Sequence, residues 1–123
     1  MPIPHRPDPG EFLPLTPAVL HILLALSDEE QHGYGIMQEI EARTGGEVCM
    51  GSGTLYGTLK RLLEGGLVEE SSARPDPKLD DERRRYYRLT RLGRKVIEAE
   101  LARLQSILRT AKARRLLRGE ALS

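Results

Sequence analysis

Residues 53–68 read GTLYGTLKRLLEGGLV, and their pattern decides the fold. Leu55, Leu59, Leu62 and Leu63 recur at i, i+4, i+7 and i+8, the spacing of one buried helical stripe. At 100° per residue the opposite face carries Gly53, Gly57, Lys60, Arg61 and Glu64, with Thr54 and Tyr56 on its flanks. Gly65-Gly66 closes the helix, and Leu67-Val68-Glu69-Glu70 begins a short strand at once.

Upstream, Thr16-Pro17 has the form of a cap followed by a first-turn proline. The helix after it, through Val19, Leu20, Ile22, Leu23, Leu24 and Leu26 to about Ser27, is apolar on most sides and belongs at the centre. After Asp28-Glu29-Glu30, His32-Gly33-Tyr34-Gly35 opens a second helix with Ile36, Met37 and Ile40 at helical spacing. Gly45-Gly46 stops it. Downstream, residues 71–82 (SSARPDPKLDDE) form a loop, and Arg85-Tyr86-Tyr87-Arg88-Leu89 a second strand. Together the strands make a hairpin with a long tip. Thr90 caps a last helix expected to reach about Leu117, roughly 40 Å at 1.5 Å per residue. Its residues Ile97, Leu101, Leu104, Leu108 and Ala111 are spaced 4, 3, 4, 3, an a/d seam suited to a second copy of the helix. The element order gives a mainly α protein with a small β-hairpin: a winged helix-turn-helix plus a long C-terminal dimerisation helix. The expected division is a Pro-rich N-terminal arm over 1–14, a DNA-binding domain over 15–89, the dimerisation helix over 90–117 and a tail over 118–123.

Composition narrows the function classes. The chain of 123 residues has room for one modest core, built with five aromatics (Phe12, Tyr34, Tyr56, Tyr86, Tyr87) and no Trp. A core that thin often draws on a partner subunit. The single Cys49 forms no internal disulfide, and no apolar run nears the roughly 20 residues that span a bilayer, so a cytoplasmic protein is expected, without a membrane partner. The net charge of +1 hides an asymmetry: 6 Lys/Arg against 15 Asp/Glu over residues 1–82, and 13 against 3 over 83–123. Such a division suits a polyanion-facing or self-associating half, though a solvated basic helix shows it too.

The third helix has what a major-groove reader needs: a dry back, small residues at the front, hydroxyls for phosphates and cations for guanine edges or phosphates. Ser52, just before it, is placed to cap it. An amphipathic surface helix has the same face pattern. Nucleotide and metal chemistry fit poorly. Gly51-Ser52-Gly53 lacks the third glycine and the preceding strand of a phosphate loop, and His5, His21, His32 and Cys49 match no compact zinc spacing. No catalytic arrangement stands out and no cofactor is expected. Cys49 reads as an inert thiol or a redox handle, and His21 as a core histidine.

The stretch Gly53 to Val68 closely resembles the signature of the PadR-type transcriptional regulators. Leu15-Thr16-Pro17 to Leu26, His32-Gly33-Tyr34-Gly35-Ile36 and Arg85-Tyr86-Tyr87-Arg88-Leu89-Thr90 resemble that family's flanking motifs in the same order. The resemblance covers about residues 13–115 and looks like the smaller subtype, with a single short terminal helix. It implies a bacterial homodimeric regulator of double-stranded DNA, usually a repressor, with the third helix in the major groove. By the match, Ser52, Thr54, Tyr56, Lys60 and Arg61 would face DNA; Tyr56 could instead fill the angle between helices. It also implies, for some members, a small-molecule effector between the first and last helices, for which no residues stand out here. Gly57 replaces the usual proline of the motif, which leaves the helix intact but looser and allows closer backbone approach. The wing tip departs too: Asp76, Asp80, Asp81 and Glu82 face Lys78 alone, and carboxylates repel phosphates. Backbone contacts are therefore expected from Arg83, Arg84 and Arg85 at the wing base, with Arg74 second. The other reading is a protein-interaction module that docks an acidic partner through the basic terminal helix.

Overall fold

Thr16 starts the first helix by accepting the N–H of Val19 on its hydroxyl at 3.2 Å, with Pro17 behind it in the first turn. In the computed structural model, which describes residues 8–71 and 85–117, this helix, α1, runs Pro17–Asp28. Ile22, Leu23, Ala25 and Leu26 are buried, and α1 touches three helices and the sheet, so it is central as its composition suggests. Helix α2, Gly33–Arg43, is capped by a ring: His32 Nδ1 accepts the N–H of Gly35 at 2.9 Å. It ends at Gly45 and Gly46, whose φ values of 62° and 85° suit residues without a Cβ.

Helix α3 spans Ser52–Glu64, and the hairpin strands are β2, Val68–Ser71, and β3, Tyr86–Leu89. They pair antiparallel with Val68 opposite Leu89 and Glu70 opposite Tyr87. A third strand, β1, Gln31–His32, pairs with the other edge of β3, giving the order β1-β3-β2. Two residues carry no alternation, so this strand left no periodic signal. Four helices and a small antiparallel sheet make the expected winged helix-turn-helix.

Helix α4, Arg91–Ala113, starts as expected, with Thr90 accepting the N–H of Gly93 at 3.0 Å. It stops about four residues early. Arg115 turns left-handed at φ 60°, and the N–H of Leu116 closes on the carbonyl of Ala111 at 2.9 Å. Its two halves have different surroundings. Gly93, Val96, Ile97 and Glu100 are buried in the core, whereas Leu101, Ile107 and Leu108 are exposed. Ile97 is therefore corrected from seam to core: at 2% exposure within one chain it has no surface left for a partner. The same spacing serves an intramolecular contact in the first turns and an open stripe beyond them.

The described part of the N-terminal arm is also docked. Pro9–Phe12 is a short 3-10 helix packed against α4, and Phe12, Leu13 and Leu15 lie against the core. Glu100 fastens this segment. It is 1% exposed, accepts the N–H of Leu15 at 2.9 Å, and takes Arg103 on both oxygens at 2.6 and 3.1 Å.

The hydrogen bonds from Arg103 hold the Glu100 carboxyl below its ordinary value of 4.5; burial opposes this and the Leu15 N–H adds to it. A carboxyl depressed on folding contributes stability that is present above the unfolded value and lost as pH falls through the folded one. Urea midpoints between pH 6 and 3 should accordingly fall more steeply for the native chain than for Glu100→Gln, with the gap closing in acid. Parallel curves would show that Glu100 contributes nothing by its charge.

Candidate nucleic-acid interface

The amphipathic pattern of α3 carries over to three dimensions. Leu55, Thr58, Leu59 and Leu62 are buried and Leu63 half-buried, while Ser52, Gly53, Thr54, Lys60, Arg61 and Glu64 are exposed and Gly57 is half-exposed. Thr58, which the apolar pattern passes over, is 1% exposed, and its hydroxyl accepts Arg61 Nη2 at 3.2 Å. Arg61 is thus steadied by its own helix one turn back, which limits the rotamer freedom it would lose on binding. Ser52 does not cap. The cap residue is Gly51, with no side-chain bond, and Ser52 is the first helical residue. The leading N–H groups of α3 consequently keep the positive end of the helix dipole unneutralised by a side chain.

Tyr56 goes to the helix-helix angle. A Cβ built on Gly33 would come within 2.7 Å of two carbons of the Tyr56 ring, so the ring occupies the space that the missing side chain leaves. A side chain at position 33 would have to displace the ring, which favours glycine there. The half-buried ring ties α3 to the first turn of α2.

On the wing, Arg88 is committed to Glu69 directly across the hairpin, Nε to Oε2 at 2.7 Å. Among the described residues Arg85 makes only a loose approach, to Glu70 at 3.8 Å. Arg83, Arg84, Arg74 and the acidic tip from Asp76 to Glu82 lie outside the described residues. Arg85 and Lys60 rim one notch of about 290 Å³ between α3 and the sheet, with Tyr56, Leu59, Leu63 and Tyr87 as its walls and floor. A second groove, about 280 Å³, is lined by Glu29, Glu30, Gln31, His32, Gly35 and Tyr86. Its charged groups are acidic, which disfavours a polyanion there.

Of the remaining residues singled out in the sequence, His32 and His21 have structural partners. His32 caps α2 and meets Tyr86 edge-on at 5.4 Å. His21 is not a core histidine: it is half-exposed, with Arg43 Nη1 at 3.2 Å from its Nδ1. Cys49 is an exposed free thiol, His5 lies outside the described residues, and those described hold no His/Cys/Asp/Glu group suited to a metal. No helix among them is long and apolar enough to cross a membrane.

Comparison with known proteins gives a consistent picture. The model of the transcriptional regulator PadR-like family matches residues 22–99. A curated Lysinibacillus sphaericus protein of uncharacterised function is 34% identical over 73 residues, 59% of this chain. The chain spans 64% of that relative's length. Among solved structures, the RosR-S4 complex structure is 28% identical with a TM-score of 0.62, covering 86% of this chain and 97% of that one. A PadR family transcription regulator from Clostridium difficile is 24% identical with a TM-score of 0.63, over 78% and 95%. PadR of Bacillus subtilis, solved in complex with operator DNA, is 24% identical with a TM-score of 0.58, over 68% of this chain and 45% of that one.

Two glycines on the α2–α3 unit should respond oppositely to a methyl group. A Cβ at Gly57 would meet nothing within 4 Å, so Gly57→Ala should add about 1 kcal/mol of stability. Gly33→Ala should cost about 1–3 kcal/mol by pushing on Tyr56. Urea unfolding of both variants checks this; a neutral Gly33→Ala would show that the Tyr56 ring is not held there.

Proposed function

The chain belongs to the PadR-like family of transcriptional regulators, and from that premise we propose that it binds a double-stranded operator as a homodimer and represses the genes it controls. The observation that carries the reading is the face of α3. One side is sealed by Leu55, Thr58, Leu59 and Leu62, and the other offers Ser52, Thr54, Gly57, Lys60 and Arg61. In the major groove, the exposed N-terminal turn would meet phosphates through N–H groups and hydroxyls, while Lys60 and Arg61 reach base edges or phosphates. PadR of Bacillus subtilis, which shares the fold, was solved in complex with operator DNA, and this supports an operator as the partner.

Pairing through α4 is supported by its second half. Leu101, Ile107 and Leu108 are exposed, and Leu104 and Ala111 are half-buried beside them. An apolar stripe along more than two turns of helix is costly in water and suits a second copy of itself. Association would place two copies of α3 in successive major grooves of one duplex face. Repression, as opposed to activation, is taken from the family resemblance.

In a gel-shift titration, Lys60→Ala combined with Arg61→Ala should weaken operator binding at least tenfold, the scale of one lost bidentate contact. The fold should survive, because both side chains are exposed. Unchanged affinity in a folded variant would remove α3 from the interface.

A further inference from the structure

The notch between α3 and the sheet joins two features that the face of α3 does not explain. Its rim carries cations from two different elements: Lys60 in the middle of α3, and Arg85 at the entry to β3. Its floor is apolar, with Leu59 and Tyr87 buried and Tyr56 and Leu63 half-buried. At about 290 Å³ it is larger than a bare phosphate needs, and the leucine side chains and tyrosine rings of its floor give an inorganic anion little in return for lost water.

Resting on the operator-binding reading, we propose that this notch seats one sugar-phosphate unit of the DNA backbone, with its phosphate shared by Lys60 and Arg85. A backbone nucleotide has the matching two-part chemistry. Its phosphate is a full negative charge for the rim, and the carbon face of its deoxyribose is apolar surface for the floor. Both cations are available to it. Lys60 has no ion-pair partner among the described residues. Among the described residues Arg85 is held only by Glu70 at 3.8 Å, with both side chains about half exposed, and an exposed pair of that length contributes little. The unit becomes the point where reading helix and wing grip the same strand. It fixes the angle at which α3 enters the groove without reading a base.

The consequence is that Lys60 and Arg85 act on one phosphate and not on two. The test uses the full-length protein and an operator duplex enriched from random sequence. Each backbone phosphate is replaced in turn by a neutral methylphosphonate, for the native chain, Lys60→Ala, Arg85→Ala and the double variant. One position per half-site should weaken native binding by about tenfold, as expected for one charge-assisted contact, with a smaller effect in either single variant and none in the double variant. The slope of log affinity against log salt should shrink by about 0.9 per half-site in the double variant, the value for one phosphate. Two different sensitive positions, one lost with each residue, or a slope change of about 1.8 per half-site, would overturn the shared seat while leaving operator binding intact. Loss of binding at neither residue would overturn it as well. Failure to enrich any duplex would instead bring down the operator-binding reading on which it rests.

Discussion

At Gly93, α4 passes so close to the carbonyl of Leu67 that any Cβ there would collide with it. That carbonyl accepts the N–H of Thr90 at 3.1 Å, and the Thr90 hydroxyl donates to the carbonyl of Gly66 at 2.6 Å. Gly66, at φ 79°, turns the chain from α3 into β2. The end of α3, the root of the wing and the start of α4 are thereby locked within a few residues. The rest of the arrangement depends on this crossing. It sets the wing beside α3, so that the notch forms, and it aims α4 away from the core, so that its second half stands clear.

The molecule then divides by what each surface can bury. Val96 and Ile97 complete the core with α1, and Glu100 marks the limit of the enclosed region. A buried carboxylate at that limit is tolerable because Arg103 and the Leu15 N–H satisfy both of its oxygens. Its partners also bring the N-terminal segment onto α4. Beyond Glu100 the apolar residues of the helix lie open, and the shift from buried to exposed lies within one turn, between Ile97 and Leu101.

Much of this was legible in the sequence, and what was not has physical reasons. Thr16, Thr90 and the Gly45-Gly46 and Gly65-Gly66 pairs marked helix ends because capping and left-handed turns demand those residue types. The stripe of α3 emerged from helical spacing alone. Ile97 was misread because a core contact and a dimer contact share one periodicity, and only the folded chain shows where the core stops. Strand β1 was too short to alternate, and the proline-rich arm gave no sign of docking, since what holds it is remote in sequence: Phe12 and Leu13 lie on the core, and Leu15 just after them bonds Glu100, 85 residues away. The place of Ser52 just before the helix reads as a cap, and the sequence leaves Tyr56 between a DNA contact and the angle between helices. Spacing along the chain could not show that Gly51 takes the cap or that Gly33 opens a slot for the ring.

The central claim is that one exposed face of α3, doubled by pairing through α4, reads duplex DNA. Selection of bound duplexes from a random library tests it most directly, because it presumes neither the operator nor the effector. The account predicts enrichment of an inverted repeat whose half-site centres lie about 10 base pairs, one helical turn, apart. Recovery of no preferred sequence, or of a lone half-site without symmetry, would contradict it.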